Sequence, residues 1–237
     1  MTLGPRPLWL GAIWAGLALA ATTPAAAQVA IQAEFQSDNR YRGVSLSEGR
    51  PAIGVTLSYD APSGLYAGVT GASAIDRDAL SYTAYVGYAH RIGETAWDVG
   101  LTGGGADVRP GGPYARRYEA VYAEVYAGLT RHNVSAHLYY SPRYIVEEAP
   151  TLYADIEGAV RPATGWRVFA HAGLLVPLAS TRPGEGGERA DVRLGVAREF
   201  RRGEFDLAWT ATTPAPVYPE FYHQRPQTLI AGARWFF

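Results

Sequence analysis

The chain has 237 residues, with 21 basic and 22 acidic side chains and a formal net charge of −1 at pH 7. This balance gives no basic surface for nucleic acid, and the absence of cysteine excludes disulfides and thiolate metal sites. Glycine, at 27 residues, and tyrosine, at 16, are spread along the whole chain, which favours many strands and turns.

Residues 1–27 have the features of a secretory signal peptide. Arg6 is followed by an apolar run from Leu8 to Ala20 and then by small residues up to Ala27. The apolar run is roughly 13 residues, whereas a membrane-spanning helix needs ~17–25. The sequence therefore predicts cleavage after Ala27, export to the periplasm, and a mature domain of residues 28–237.

Alternation with a period of two dominates residues 28–237. Successive side chains of a strand point to opposite faces, and a barrel wall in lipid must be apolar on one of them. The alternating segments, in chain order, are 29–36, 53–59, 65–72, 80–88, 97–102, 121–128, 134–141, 152–160, 166–174, 192–196, 204–211 and 229–237. They predict an all-β fold, a transmembrane up-and-down antiparallel β-barrel of twelve strands.

The connections between the predicted strands give a second criterion. Short links follow the even-numbered strands, and longer ones follow the odd-numbered strands, as at 103–117, 176–190 and 212–226. Bacterial barrels have short periplasmic turns and long external loops. Outward aromatic residues near the short links predict a periplasmic girdle at the lipid interface: Tyr59, Tyr88, Trp97, Trp166, Phe205 and Phe237. A soluble β-sandwich or lipocalin-like barrel is the alternative, because its strands also alternate.

The last predicted strand ends the chain at Phe237 and is expected to pair with the first strand. Apolar residues precede Phe237 at alternate outward positions. This pattern resembles the signal that the barrel-assembly machinery reads, which makes that machinery an expected partner together with outer-membrane lipid.

Charged side chains fall on the face opposite the apolar one, where they avoid the cost of facing lipid, which reaches about 2–4 kcal/mol for an Arg at the bilayer midplane. They are the predicted lining of a lumen: Glu34, Asp38, Arg40, Arg42, Asp98, Glu124, Asp155, Glu157, Arg167, Arg193, Asp206 and Arg234. A wide lumen would be a wet channel, and a narrow one would hold these charges in ion pairs. Small inward residues favour open space: Gly54, Gly87, Gly100, Gly128, Gly195 and Gly232.

The most distinctive stretch is Ser37 to Ala52, with the sequence SDNRYRGVSLSEGRPA. Continuing the alternation of the first strand directs Asp38, Arg40 and Arg42 toward the lumen and Tyr41 toward lipid. Two inward Arg on one strand would either form an anion-attracting step in a pore or pair with carboxylates of the wall.

This stretch resembles the motif of a proteobacterial family, the TorF-type porins or Gcw_chp conserved hypothetical family, whose pattern runs roughly S-D-Y-R-F-R-G-I-S-Q-S before a Pro-Ala pair. The matching residues are Ser37, Asp38, Arg40, Arg42, Gly43, Ser45, Ser47, Pro51 and Ala52. Asn39 replaces an aromatic residue and Leu46 replaces Gln, while the hairpin at 54–69 is also similar to the family. The resemblance implies an outer-membrane barrel with a porin role.

Residues 131–137 supply His, Ser and Asn, the residue types of an outer-membrane phospholipase. Ser135 and His137 are predicted to point inward, however, whereas a lipid hydrolase needs a nucleophile that the membrane can reach. His137 and His171 lack carboxylates at matched sequence positions, so core histidines are the simpler interpretation. The sequence thus predicts no enzyme, no cofactor and no metal.

The leading functional hypothesis is a monomeric outer-membrane porin that lets small polar solutes diffuse passively. In it, Arg40, Arg42, Arg193 and Arg234 face Glu34, Asp98, Glu124 and Asp155 across the lumen. The alternative is a plugged structural or adhesive barrel whose external loops bind a partner.

Overall fold

The computed structural model describes residues 28–76, 79–108, 118–144, 149–179, 187–213 and 225–237. The predicted signal peptide, residues 1–27, lies outside these ranges. So do residues 109–117, 180–186 and 214–224, which fall within three of the predicted long loops.

The described residues form fourteen strands. They are β1 (Gln28–Gln36), β2 (Arg40–Tyr41), β3 (Val44–Ser45), β4 (Ala52–Asp60), β5 (Leu65–Ala74), β6 (Ala79–Ile92), β7 (Thr95–Val108), β8 (Tyr118–Arg131), β9 (Val134–Ser141), β10 (Thr151–Ala163), β11 (Trp166–Pro177), β12 (Arg189–Phe200), β13 (Gly203–Thr212) and β14 (Gln227–Phe236). All except β2 and β3 form one closed antiparallel barrel in which sequence neighbours pair. The twelve-stranded up-and-down barrel predicted from alternation is confirmed.

The barrel closes where β1 meets β14. Ala33 lies opposite Trp235 and Phe35 opposite Ala233, and the amide of Phe237 donates to the carbonyl of Ile31 at 3.0 Å. The other edge of β1 pairs with β4. Closure satisfies the backbone groups of both terminal strands, which is what a sheet surrounded by hydrocarbon requires.

The outer face of the barrel is apolar and the inner face is polar. On β4, Ile53, Val55 and Leu57 are 56%, 55% and 44% exposed, whereas Gly54 and Ser58 of the same strand are buried inside. The other barrel strands follow this pattern, so apolar side chains cover the outside. A soluble barrel would bury such side chains, and an exterior of this kind fits lipid.

The two ends of the barrel differ, and we call them the turn end and the loop end. Links 61–64, 93–94, 132–133, 164–165 and 201–202 lie at the turn end, together with Gln28 and Phe237. Gly93 and Gly165 take φ values of 61° and 75° there, which glycine adopts without strain. The aromatic residues predicted as a girdle lie on the outer face near this end, with Trp97 only partly exposed.

Links 37–51, 75–78, 109–117, 142–150, 178–188 and 213–226 join the strands at the loop end. The prediction of a long link after the third predicted strand is wrong. Residues 75–78 suffice, because β5 continues to Ala74 and β6 begins at Ala79. Among the described residues, no helix is long and apolar enough to cross a bilayer.

Candidate functional site in the barrel lumen

The structure places all twelve charged residues predicted as lumen lining inside the barrel. Eleven of them are buried, among them Arg167 at 1% and Asp98 at 3% exposure, and only Arg193 is of intermediate exposure. Side chains along a wide aqueous pore would be exposed to water. The described lumen is therefore narrow and largely filled, and whether these residues line a conducting path stays a prediction.

An inner hairpin, residues 37–51, occupies the lumen at the loop end. Its strands β2 and β3 pair with each other and not with the barrel. On one side Asn39 Nδ2 donates to Ser81 Oγ of β6 at 3.0 Å, and Tyr41 stacks on Tyr122 of β8 with ring centroids 5.4 Å apart. On the other side Gly43 packs against Thr212 of β13. The hairpin thus crosses the lumen from wall to wall.

The prediction that residues 38–42 extend the first strand, with Tyr41 facing lipid, is wrong. Arg42 and Gly43 have φ values of 49° and 77°, so the chain turns back on itself between β2 and β3. Alternation holds only while the backbone stays extended. The glycine and the polar residues of this stretch are typical of a turn, but the prediction continued the inward–outward alternation of the first strand through them.

Asp38 closes the inner hairpin from within. Its carboxylate accepts from Arg40 Nε at 2.6 Å and from the hydroxyls of Ser45 and Ser47 at 2.5 and 3.3 Å. At the start of the segment, Ser37 Oγ accepts from the amide of Ala231 at 3.0 Å. These contacts account for most of the polar residues in the stretch that resembles the Gcw_chp motif.

Arg42 lies in a pocket that we call the Glu124 cage, formed by Glu124, Tyr139, Tyr144 and Tyr153. Its Nη1 and Nη2 donate to the two carboxylate oxygens of Glu124, each at 2.7 Å. Its Cζ lies 5.0, 5.4 and 3.9 Å from the ring centroids of Tyr139, Tyr144 and Tyr153. Of the two roles considered for the inward Arg pair, Arg42 thus pairs with a carboxylate of the wall, whereas Arg40 pairs with Asp38 of the hairpin itself.

A second charged network fills the turn end of the lumen. Arg167 Nη2 donates to both oxygens of Glu204 at 2.8 and 2.9 Å, and Arg193 Nη2 donates to Asp206 at 3.2 Å. Arg234 contacts Glu204, lies 3.2 Å from Asp206 and lies 3.9 Å from Glu34. Sequence reasoning omitted Glu204 from the lining, although it shares the inward face of β13 with Asp206.

A third group, which we call the acidic strip, consists of Asp98, Asp155 and Glu157. Asp98 accepts from the hydroxyl of Tyr66 at 2.7 Å, and Asp155 lies 3.3 Å from His137 Nδ1. Within the part of the chain that the structure describes, none of the three forms an ion pair with Arg, and Glu157 forms no hydrogen bond. Asp98 and Asp155, which the sequence placed opposite Arg across the lumen, thus have Tyr66 and His137 as their hydrogen-bond partners.

The inward glycines do not open the lumen, contrary to the prediction. A side chain at Gly100 would lie 2.5 Å from the hydroxyl oxygen of Tyr126, and the ring of Tyr66 covers Gly87 in the same way. Large neighbours also cover the other four: Gly54, Gly128, Gly195 and Gly232. Glycine at these positions makes room for a larger inward side chain on an adjacent strand.

Both inward histidines have a carboxylate partner, which sequence positions did not predict. His137 approaches Asp155, and His171 Nε2 lies 2.9 Å from Asp191 Oδ1. Within the described ranges, no group of His, Asp and Glu side chains is arranged to hold a metal ion. Ser135 Oγ lies 2.9 Å from Thr130 Oγ1, and no catalytic Ser–His pair forms between Ser135 and His137.

One protein family matches the chain over both the barrel and the inner hairpin. Residues 20–237 match the model of a family described as bacterial protein of unknown function (Gcw_chp). The chain belongs to this family. The Gcw_chp match includes the segment that forms the inner hairpin and all twelve barrel strands. No curated protein sequence matches the chain.

Solved structures with a similar fold include two porins. The NanC porin has a TM-score of 0.55 at 10% identity, covering 89% of this chain and 100% of its own. The KdgM porin in complex with disordered oligogalacturonate has a TM-score of 0.53 at 8% identity, covering 90% of this chain and 99% of its own. At these identities the similarity establishes the barrel fold of this Gcw_chp member.

Proposed function

We propose that the protein is an outer-membrane channel for small polar solutes in which the inner hairpin controls passage. The observation that carries this proposal is a separate hairpin inside the polar lumen of a closed barrel with an apolar exterior. Its similarity of fold to the KdgM and NanC porins supports a channel role. The TorF-type porin motif, the predicted signal peptide at 1–27 and the strand ending at Phe237 support assembly in a Gram-negative outer membrane.

The attachment of the inner hairpin supports its movement. Among the described residues, backbone hydrogen bonds join it to the barrel only at its ends, from Ser37 N to Ala231 O at 2.9 Å and from Ile75 N to Pro51 O at 2.9 Å. Between these points, side chains make the contacts with the wall. Such a segment can withdraw without breaking a strand pair of the barrel.

The charges of the lumen indicate which solutes the channel favours. Arg40 and Arg42 pair with Asp38 and Glu124, whereas the acidic strip forms no ion pair with Arg among the described residues. His137 is the basic side chain beside it, 3.3 Å from Asp155 and 3.9 Å from Asp98. Fixed negative charge in a narrow pore favours cations. An acidic sugar such as oligogalacturonate, the ligand of the KdgM structure, is therefore not the expected solute.

Planar-bilayer recording tests the proposal with two proteins. Gln36 and Ala52 are paired neighbours in β1 and β4, so a short Gly-Ser turn can replace residues 37–51 without stretching the barrel. We expect brief current steps from the wild-type protein and longer-lasting steps from the variant, whose conductance is still limited by the charged network at the turn end. A variant that folds and inserts but gives no current refutes the channel.

The burial of the lumen side chains favours one alternative, a plugged structural barrel whose external loops bind a partner. It predicts no current from the wild-type protein and none from the variant lacking the inner hairpin. The same recordings therefore separate the two functions.

A further inference from the structure

The Glu124 cage has the composition of a recognition site for a planar cation. We propose that it binds the guanidinium group of a solute, and that Arg42 occupies it as an internal ligand in the described state. The effect of this binding on transport rests on the proposed channel function, but the binding itself does not. Binding to the cage is measurable by itself.

The geometry of the cage favours guanidinium over other cations. The two oxygens of Glu124 each accept from a different nitrogen of Arg42 at 2.7 Å, a parallel pair of bonds that a planar fork makes and an ammonium group does not. The ring of Tyr153 lies 3.9 Å from Arg42 Cζ, and Tyr139 lies 5.0 Å away. These rings add cation–π attraction in a site that excludes water.

The wall of the barrel supplies most of this cage, so the cage does not depend on the inner hairpin. Glu124, Tyr139 and Tyr153 lie on the consecutive strands β8, β9 and β10. The hydroxyl of Tyr153 donates to Asp191 Oδ2 of β12 at 3.0 Å, which fixes that ring from behind. Tyr41, whose ring lies 4.8 Å from Arg42 Cζ, also contacts the guanidinium group, but it belongs to the hairpin and leaves with it.

Withdrawal of Arg42 would leave the Glu124 carboxylate without its counter-ion. With the hairpin in place the Glu124 side chain is 1% exposed. Once Arg42 withdraws, water reaches this carboxylate, and a planar cation that donates to both of its oxygens is the partner that best replaces Arg42. A solute that carries a guanidinium group satisfies the same two oxygens and the same rings. Solute and Arg42 therefore exclude each other, and binding of the solute favours the withdrawn hairpin.

Arg42→Ala in the full-length barrel tests the cage directly, with methylguanidinium chloride as the probe and methylammonium chloride as the control. Titration calorimetry of the folded protein should show saturable binding of methylguanidinium. Methylammonium should bind at least about tenfold more weakly, because it loses one of two charge-assisted hydrogen bonds. The double variant R42A/E124Q should bind neither ion.

Equal binding of the two ions, or no binding of methylguanidinium, overturns the proposal. If Arg42→Ala fails to fold, the variant with residues 37–51 replaced takes its place, since it retains the Glu124 cage. In bilayers, methylguanidinium should raise the open fraction of the wild-type channel, and methylammonium should not. Binding without any current would refute the channel and leave the site, whereas current without binding would refute the site and leave the channel.

Discussion

Replacing Arg42 with Ala should release the inner hairpin from the wall. The substitution leaves the buried Glu124 carboxylate without its partner while the hairpin stays in place, and it removes the contacts with the cage tyrosines. Loss of one partner of a buried ion pair costs about 3–5 kcal/mol. When the hairpin opens, water reaches Glu124 and removes most of this cost. The substitution therefore destabilises the closed state more than the open state. At about 1.4 kcal/mol for each factor of ten, the open population should rise more than ~100-fold.

Thiol labelling measures this population. The chain has no cysteine, and Val44 of β3 is 7% exposed, so Cys at this position reacts with a maleimide only when the hairpin opens. When opening is fast relative to labelling, the rate follows the open population. We expect labelling of V44C to accelerate about 100-fold or more in the R42A background. Adding E124Q should reverse much of this increase, because the unpaired buried charge is gone.

Arg50→Ala is the matched control for this experiment. Arg50 belongs to the same hairpin, but its pair with Asp76 is 3.4 Å long and both side chains are about half exposed. Exposed pairs contribute about 0–1 kcal/mol, so labelling should change less than about fivefold. Equal rates in the R42A and wild-type backgrounds, or equal effects of R42A and R50A, would refute the role of Arg42 as the main attachment.

Three further predictions concern other parts of the barrel. Glu157→Gln should lower the preference for cations, so the reversal potential in a KCl gradient should move toward zero; an unchanged potential would exclude the acidic strip from selectivity. Gly100→Ala places a methyl group against Tyr126 and should destabilise the barrel by about 1–3 kcal/mol in urea unfolding, whereas Gly71→Ala, which meets no atom within 4 Å, should not. Deleting Phe237 should reduce the yield of inserted barrel in cells while leaving the conductance of each inserted molecule unchanged, and normal insertion would contradict a role in assembly.

The barrel was predictable from the sequence because the side of every strand that faces lipid must be apolar. Ile53, Val55 and Leu57 alternate with Gly54 and Thr56, and a shift of one residue would turn the apolar set inward. The same constraint fixed β14 as the partner of β1. Short links also followed from this periodicity, since two strands that end close together need few residues between them.

The contacts inside the lumen were less predictable, because lipid constrains only the outward side chains and the inward ones pair with one another. Alternation places Asp98, Glu124 and Arg234 inside, but it does not state which charge meets which across the barrel. Glu124 pairs with Arg42 of the inner hairpin, and Asp98 pairs with the hydroxyl of Tyr66. These partners depend on the stagger of the strands and on the turn at Arg42 and Gly43, where both residues have positive φ.

A reversible cross-link between the inner hairpin and the wall tests the central claim most directly. Asn39 and Ser81 are in side-chain contact at 3.0 Å, and no native cysteine competes, so N39C/S81C can be joined by oxidation or by a short bis-thiosulfonate reagent. Single-channel recording should show no steps from the cross-linked protein and recovery of current after reduction, with S81C alone unaffected by either treatment. Equal conductance before and after reduction would contradict control of the channel by the inner hairpin.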